Sequence, residues 1–369
     1  MYSCYEYMWL MKKYILLNLL VSLILIKGMA QIKNFSVSPL PIITADPYIG
    51  VGFGALGNAT FLMGDSSNTR YSNMMLYGIY TTKGQLGFQF NHQVFTKEEK
   101  WMIQGKLQYL DWPENTYRIG GNVSGDTPYK EKISYKAIEF EERVMKRIGK
   151  KNFIGLQYRL FSCWDLKSDL NGNSSFFNND AIGNKSFVAS GIGVHFIHDS
   201  RDNVQNAYSG KYLEVALNPF LSILGSTQDW VNFRIDGRIY KNFSASKQKV
   251  LATRFVFEQA AGTIPYMIMP QFGRYYSTRG FVQGRYRGNT FASLESEYRT
   301  HLWRFIGGVA FANINTISEP NGQFKYFNPA AGAGFRFCIN KKQRTNIRID
   351  YAKGTQDNGG IYFQVTEVF

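Results

Sequence analysis

Stretch after stretch of this chain alternates between charged and apolar residues over ten or more positions. In 291–302, Ser293, Glu295, Glu297, Arg299 and His301 oppose Ala292, Leu294, Tyr298 and Leu302. In 230–241, Asn232, Arg234, Asp236 and Arg238 oppose Val231, Phe233, Ile235 and Ile239, and 345–353 sets Asn346, Arg348 and Asp350 against Ile347, Ile349 and Tyr351. A period of two means β-strand. A soluble sandwich also alternates, but its strands usually run to about five or six residues. Here the segments are longer, no helical pattern separates them, and full charges recur on one face. Apolar outside and polar inside is the pattern of a β-barrel that spans a membrane.

Composition agrees. Aromatics are 16% and Gly numbers 35, against 10 Pro and 3 Cys, which suits many turns and aromatic girdles rather than a helical protein. Past Ala30 no apolar run reaches the ~18 residues of a spanning helix. Residues 1–30 read as a secretory leader. Lys12 and Lys13 form its basic start, 14–26 its apolar stretch, and Gly28-Met29-Ala30 its cleavage site, with Met11 a better start than Met1. The leader holds three basic residues and one acidic one, so its removal lowers the net charge from +15 to +13. The barrel domain is then 31–369. An exported basic chain faces anionic lipid or an anionic cargo in the lumen rather than nucleic acid. Cys4 leaves with the leader; Cys163 and Cys338 remain as expected free thiols, since two distant cysteines make no disulfide framework.

Fifteen strands are expected at 48–63, 71–82, 84–96, 100–112, 132–147, 152–165, 187–199, 210–224, 229–241, 249–261, 290–302, 304–315, 329–339, 344–354 and 359–369. Bacterial barrels have even strand numbers, short periplasmic turns and long external loops. The long connections 113–131, 166–186, 262–289 and 316–328 all fall on one side. One more strand must precede residue 48 to place that side outside, and 33–44 supplies it. The expected fold is all-β: a sixteen-stranded antiparallel transmembrane β-barrel. The first strand carries Pro39 and Pro41, which cannot donate ladder hydrogen bonds, so its closure against the last strand is expected to be weak.

Catalytic and cofactor motifs are lacking. Gly52-Phe53-Gly54-Ala55-Leu56-Gly57 matches a dinucleotide fingerprint in letters, but a strand continues where the helix should start. His195 and His198, three apart on a strand, point to opposite faces. There is no Gly-x-Ser-x-Gly, His-Glu-x-x-His or paired Cys-x-x-Cys. The expectation is no enzyme, no cofactor and no metal. The end of the chain is different: Ile361, Phe363, Val365 and Phe369 are placed on one apolar face, interrupted by Glu367, and such an aromatic ending resembles the C-terminal signal of barrel precursors.

Several motifs occur in a telling order. Arg279-Gly280-Phe281 lies in the long polar segment 261–289, within Tyr276-Ser277-Thr278-Arg279-Gly280-Phe281. It resembles the Val/Ile-Arg-Gly-Phe tip of the lumen loop in BamA/TamA-like barrels, also called bacterial surface antigen barrels, with Thr278 in place of the hydrophobic residue. Asp199-Ser200-Arg201-Asp202-Asn203 followed by Gly210 resembles that family's Asp-x-Arg-Asp-Asn…Pro-x-x-Gly turn, with Ala207 in place of Pro. Glu297-Tyr298-Arg299 resembles its Glu-x-Arg strand. The next strand, with Asn313 and Asn315, resembles Phe-x-Asp-x-Gly. The total of sixteen strands, five of them after the loop, agrees with the family.

The resemblance implies a long loop folded into the lumen, anchored by Arg279, Gly280 and Phe281. The implied wall partners are Glu297, Arg299, Asn313 and Asp350, with Glu297 as the main acceptor. It implies a periplasmic turn built on Asp199, Arg201, Asp202 and Gly210, and a C-terminal signal at Phe363, Val365 and Phe369. It also implies the bacterial outer membrane, with lipid and lipopolysaccharide as surroundings and client or periplasmic proteins as partners. The expected function is insertion or translocation of protein, or lipid, at that membrane. Alternatives are an uptake pore constricted by the loop, or a structural or adhesive surface barrel. The periplasmic POTRA domains usual in the family are not expected ahead of the barrel here.

Overall fold

The structure is a computed structural model that describes residues 32–123, 130–169, 185–244, 249–273, 278–341 and 344–369. The leader, Tyr276 and Ser277 lie outside the described residues. Sixteen strands among the described residues close into one antiparallel barrel in which neighbours in sequence are neighbours in space. They are β1 (Ile32–Asp46), β2 (Gly50–Met63), β3 (Ser72–Thr81), β4 (Leu86–Phe95), β5 (Trp101–Thr116), β6 (Glu131–Ile148), β7 (Asn152–Ser168) and β8 (Phe187–Asp199), then β9 (Gly210–Phe220), β10 (Trp230–Asn242), β11 (Lys249–Gly262), β12 (Thr290–Trp303), β13 (Ile306–Ile317), β14 (Phe327–Asn340), β15 (Thr345–Gly354) and β16 (Gly359–Val365). The three longest connections, 117–130, 169–186 and 263–289, all leave from one end, as does 318–326. By the rule that outer-membrane barrels keep their short turns in the periplasm, the opposite end is periplasmic.

The alternation places the side chains. Outward positions such as Leu76, Phe88, Leu107, Leu156, Leu217, Ile239 and Phe335 are exposed, the surface a bilayer would cover. Inward, Glu139, Arg159, Glu214, Arg234, Asp236, Arg254 and Glu258 are buried and paired. Arg234 meets Glu214 at 2.7 Å and Arg254 meets Asp236 at 2.8 Å. Charges off water need such partners, because a lone buried ion costs several kcal/mol. Around these residues the lumen is a packed, ion-paired interior, while a cavity of about 320 Å3 remains among Asn73, His92, Gln104, Lys106 and Arg143. Apolar clusters share it: Tyr266, Met267 and Ile268 of the 263–289 connection pack with Phe161, Phe220 and Trp230, the last two stacked at 4.0 Å. Gly52–Gly57 lies in β2 with no helix after it, and Cys163 and Cys338 are both free.

The last strand is shorter than the alternation suggests. β16 ends at Val365, and Thr366 takes φ 75°, which turns the chain inward. The seam between β1 and β16 registers one pair, Ala45↔Phe363, whereas β1 and β2 pair from Ile32↔Met63 to Asp46↔Gly50. On that register Val365 lies level with Ile43. Pro39 and Pro41, paired with Gly57 and Ala55 of β2, therefore sit beyond the reach of β16. The seam is short because β16 stops, not because the prolines interrupt it.

Candidate functional site

The connection 263–289 returns into the barrel instead of standing above it. Arg279 is fully buried. Its Nη2 lies 2.5 Å from Glu295 and 2.5 Å from Glu297, both on the inner face of β12, and its Nη1 lies 2.9 Å from Asp350 on β15. The guanidinium plane lies over the Phe311 ring of β13, 3.4 Å from its centroid, a cation–π contact that also shields the ion pairs from water. A planar fork with five donors suits several carboxylates at once. Three carboxylates around one cation would leave a net repulsion. Arg299, Arg336 and Arg348 offset it. Arg299 pairs with Glu297 at 2.5 Å, Arg336 with Asp350 at 2.6 Å and with Glu367 at 2.7 Å, and Arg348 with Asp350 at 3.0 Å. Four guanidinium groups thus meet four carboxylates, and the cluster is neutral.

The neighbours of Arg279 fix its backbone. Asn313 Nδ2 donates to the Arg279 carbonyl at 3.0 Å, and the Gly280 amide donates to Tyr362 Oη at 2.9 Å. Gly280 has φ 97°, and a Cβ there would stand 2.6 Å from the Ala330 Cβ, so glycine alone fits. Phe281 is buried against Phe272 and Tyr286. Two further arginines tie the connection to other walls. Arg285 donates to the Val123 carbonyl at 2.7 Å and the Gln356 carbonyl at 3.0 Å, and Arg287 meets Glu114 of β5 at 3.2 Å.

The Omp85 superfamily domain matches residues 54–369 of this sequence. The chain belongs to the Omp85 superfamily. This Omp85 barrel resembles BamA from Haemophilus ducreyi lacking POTRA domains 1-3, with TM-score 0.60 at 12% identity over 90% of this chain and 70% of that one. It also resembles CdiB from Escherichia coli (0.59, 9%, covering 92% and 63%) and CdiB from Acinetobacter baumannii (0.55, 9%, covering 92% and 60%). At such identities the likeness is one of fold. No curated protein matches the sequence. Superfamily and sixteen-strand architecture together place the protein in the bacterial outer membrane.

In this Omp85 barrel the 200–209 turn folds across the periplasmic mouth. Arg201 forms a two-pronged pair with Asp199 at 2.9 and 3.1 Å, and Arg70, from the turn before β3, reaches Asp199 at 3.0 Å. Asp202 accepts from the Tyr208 and Ser209 amides at 2.9 and 3.2 Å, closing the turn on itself, and from Arg344 at 2.8 Å. Gly210 has φ 106°, and a Cβ there would stand 2.3 Å from the Ser200 carbonyl. Ala207 is buried with Tyr240 and Phe369. Burial pushes the Asp202 pKa up, but Arg344 and the two amides outweigh it and hold the carboxyl below its ordinary value. A depressed pKa contributes stability that is present above the unfolded value of ~3.9 and lost as pH falls through the folded one. The Asp202–Arg344 contact therefore holds at neutral pH and lapses in acid. Arg344→Ala should cost at most about 1 kcal/mol, as for ion pairs that water still reaches. It should nonetheless speed tryptic cleavage after Arg201. Equal cleavage of variant and parent would show that the turn is held without Arg344.

The other residues singled out from sequence are placed as follows. Arg299 contacts Glu297, the Asn206 amide oxygen at 3.3 Å and the Phe369 carbonyl at 2.9 Å, and no described residue of the loop. Asn313 holds the loop's backbone and not its guanidinium. Phe369 is not on the lipid face with Ile361, Phe363 and Val365. The turn at Thr366 carries it into the lumen beside Tyr240, and brings Glu367 inward to Arg336. Alternation along an unbroken strand could not reveal that turn. Glu295, Arg285 and Arg287 were missed as partners and anchors of the loop. Glu295 shares a face with Glu297, which marks it as lumenal but not as a partner of Arg279, and Arg285 and Arg287 flank Tyr286 in the same segment with partners far away in the chain. His195 faces inward to Asn218 at 3.1 Å and His198 pairs with Asn152 at 2.7 Å.

Proposed function

We propose that this Omp85 barrel inserts or translocates protein at the outer membrane through its β1–β16 seam, with the Arg279 loop as the latch that keeps the remaining wall rigid. The seam carries this reading. Its single registered pair, Ala45↔Phe363, is supplemented by Thr44 Oγ1 donating to the Phe363 carbonyl at 2.9 Å. Below the level of Ile43 the outer edge of β1 has no β16 residue opposite it, while Phe35, Val37 and Leu40 stay exposed. An unpaired strand edge in hydrocarbon is costly, and it is also a template onto which an arriving strand can add. The neighbouring β12–β15 wall is the part clamped by the ion cluster, so opening at the seam would leave the latch intact. The loop docked through Arg279 and the ion pairs around it speak against a standing pore on that side of the lumen.

The test is a reversible lock. In a Cys163→Ser/Cys338→Ser background, Ala45→Cys with Phe363→Cys would join the seam. Oxidation is expected to lower catalysed folding of a client barrel into liposomes by at least about tenfold, the effect of ~1.4 kcal/mol on a barrier, and reduction to restore it. A locked barrel that works as well as the reduced one would overturn the seam mechanism.

A further inference from the structure

At the periplasmic rim of β12–β15, below the ion cluster, lies a cavity of about 370 Å3. Arg299, Arg304, Arg336, Lys341 and Arg344 line it against a single carboxylate, Glu367. That carboxylate is already committed, to Arg336 at 2.7 Å and to Asn346 at 2.8 Å, and Arg344 is held by Asp202. Arg304 and Lys341 have no carboxylate partner among the described residues; the Arg304 guanidinium lies over the Trp303 ring at 4.4 Å. An excess of cations in a confined space beside a bilayer is a site for an anion.

A second cavity, about 490 Å3, runs up the outer wall from the same place. It is an apolar groove walled by Tyr298, Phe335, Tyr351 and Ile361, with Ala310 and Ala333 recessing its floor. Ala310 and Ala333 are directly paired across β13 and β14. The two cavities share Thr300 and Gly308 as lining residues, and Leu302, Trp303 and Phe305 stand exposed around the junction. A basic pocket that meets an apolar groove at the level of the membrane boundary matches one kind of ligand, an anionic amphiphile. Only the inner leaflet lies at this end of the barrel.

We propose that the periplasmic rim of β12–β15 binds an anionic glycerophospholipid of the inner leaflet. Its phosphate sits between Arg304 and Lys341, and one acyl chain lies along the groove over Ala310 and Ala333. The arginines behind the pocket are balanced by Glu297, Asp350, Glu367 and Asp202, so Arg304 and Lys341, the two cations without a carboxylate partner among the described residues, make the direct contacts. The groove distinguishes this lipid from free phosphate, which would have no use for it.

The test uses the whole barrel in nanodiscs of equal dioleoyl-phosphatidylglycerol and dioleoyl-phosphatidylcholine, released for native mass spectrometry. Phosphatidylglycerol is expected to be retained at least about tenfold over phosphatidylcholine, about 1.4 kcal/mol, because the choline cation that accompanies the same phosphate is repelled by Arg304 and Lys341. Arg304→Ser with Lys341→Ser should bring the two lipids level. Ala333→Phe, which fills the groove from the lipid face, should lower phosphatidylglycerol retention by a similar factor without changing binding of inorganic phosphate. Unchanged heat-modifiable migration on gels would show that each variant is folded. Equal retention of the two lipids by the parent, or full retention by the double serine variant, would overturn the site. Phosphate binding that persists while Ala333→Phe leaves lipid retention untouched would make it a free-anion pocket and overturn the lipid assignment.

Discussion

Arg279→Ala is expected to lower the unfolding free energy of the barrel by about 3–5 kcal/mol, the range for removing one partner from a buried ion pair. The loss comes less from the contacts that disappear than from the carboxylates left behind. Glu295, Glu297 and Asp350 would face one another at low dielectric, where unit charges a few ångströms apart interact by several kcal/mol. Urea unfolding in lipid vesicles, followed by tryptophan fluorescence, measures it. Adding Glu295→Gln to Arg279→Ala should recover part of the loss, because one orphaned charge is gone. Arg279→Lys should recover less than its charge suggests, since an ammonium cannot present the planar fork that meets both faces of the cluster. A charge swap, Arg279→Glu with Glu297→Arg, is the natural rescue for an isolated pair, but it should fail here. The new guanidinium would meet Arg299, now 2.5 Å from Glu297, and Arg336, and the new carboxylate would face Glu295 and Asp350. An unchanged urea midpoint for Arg279→Ala would show that the cluster does not hold the loop.

Gly280→Ala is expected to be nearly as damaging, for a different reason. At φ 97° an L-residue is strained by about 1–3 kcal/mol, and a Cβ 2.6 Å from that of Ala330 adds overpacking of about 1–3 kcal/mol. The two components separate in a double variant. Ala330→Gly removes the clash and leaves the backbone strain, so Gly280→Ala should cost roughly half as much in that background as in the parent. Full rescue would mean that the backbone is relaxed at this position. No rescue would mean that Ala330 is not the obstacle. Either variant should also loosen Phe281 from Phe272 and Tyr286, visible as a weaker near-ultraviolet circular dichroism signal.

The sequence made the barrel legible because alternation is a property of each strand alone. Arg234, Asp236, Glu295 and Arg348 could be assigned to the lumen without knowing what they touch. Strand parity then demanded a strand ahead of residue 48, and β1 is there. Less was legible where the answer depends on where the chain bends. The turn at Thr366 moves Phe369 from an expected lipid-facing position to the lumen and shortens β16, and Glu367, which interrupts the apolar face, is its one mark in the residue pattern. The partners of Arg279 were half legible. Glu297 follows from the family motif and Asp350 from its inward face, but Glu295 needs the three-dimensional fact that one guanidinium spans two carboxylates on the same strand. Arg285 and Arg287 bind backbone carbonyls and a strand far away in sequence, relations that periodicity does not encode.

The neutrality of the cluster around Arg279 has a consequence for how this barrel responds to ionic strength. At physiological salt, mobile ions screen charges beyond about 8 Å, and they do so through water. Arg279, Glu297 and Asp350 have almost no surface for those ions to reach, and a sum of zero charge leaves no net charge to attract them. Asp202 and Arg344, about a fifth exposed, do have such a surface. A bath of rising salinity therefore acts on this molecule from one side only: it slackens the cover over the periplasmic mouth while the loop stays docked.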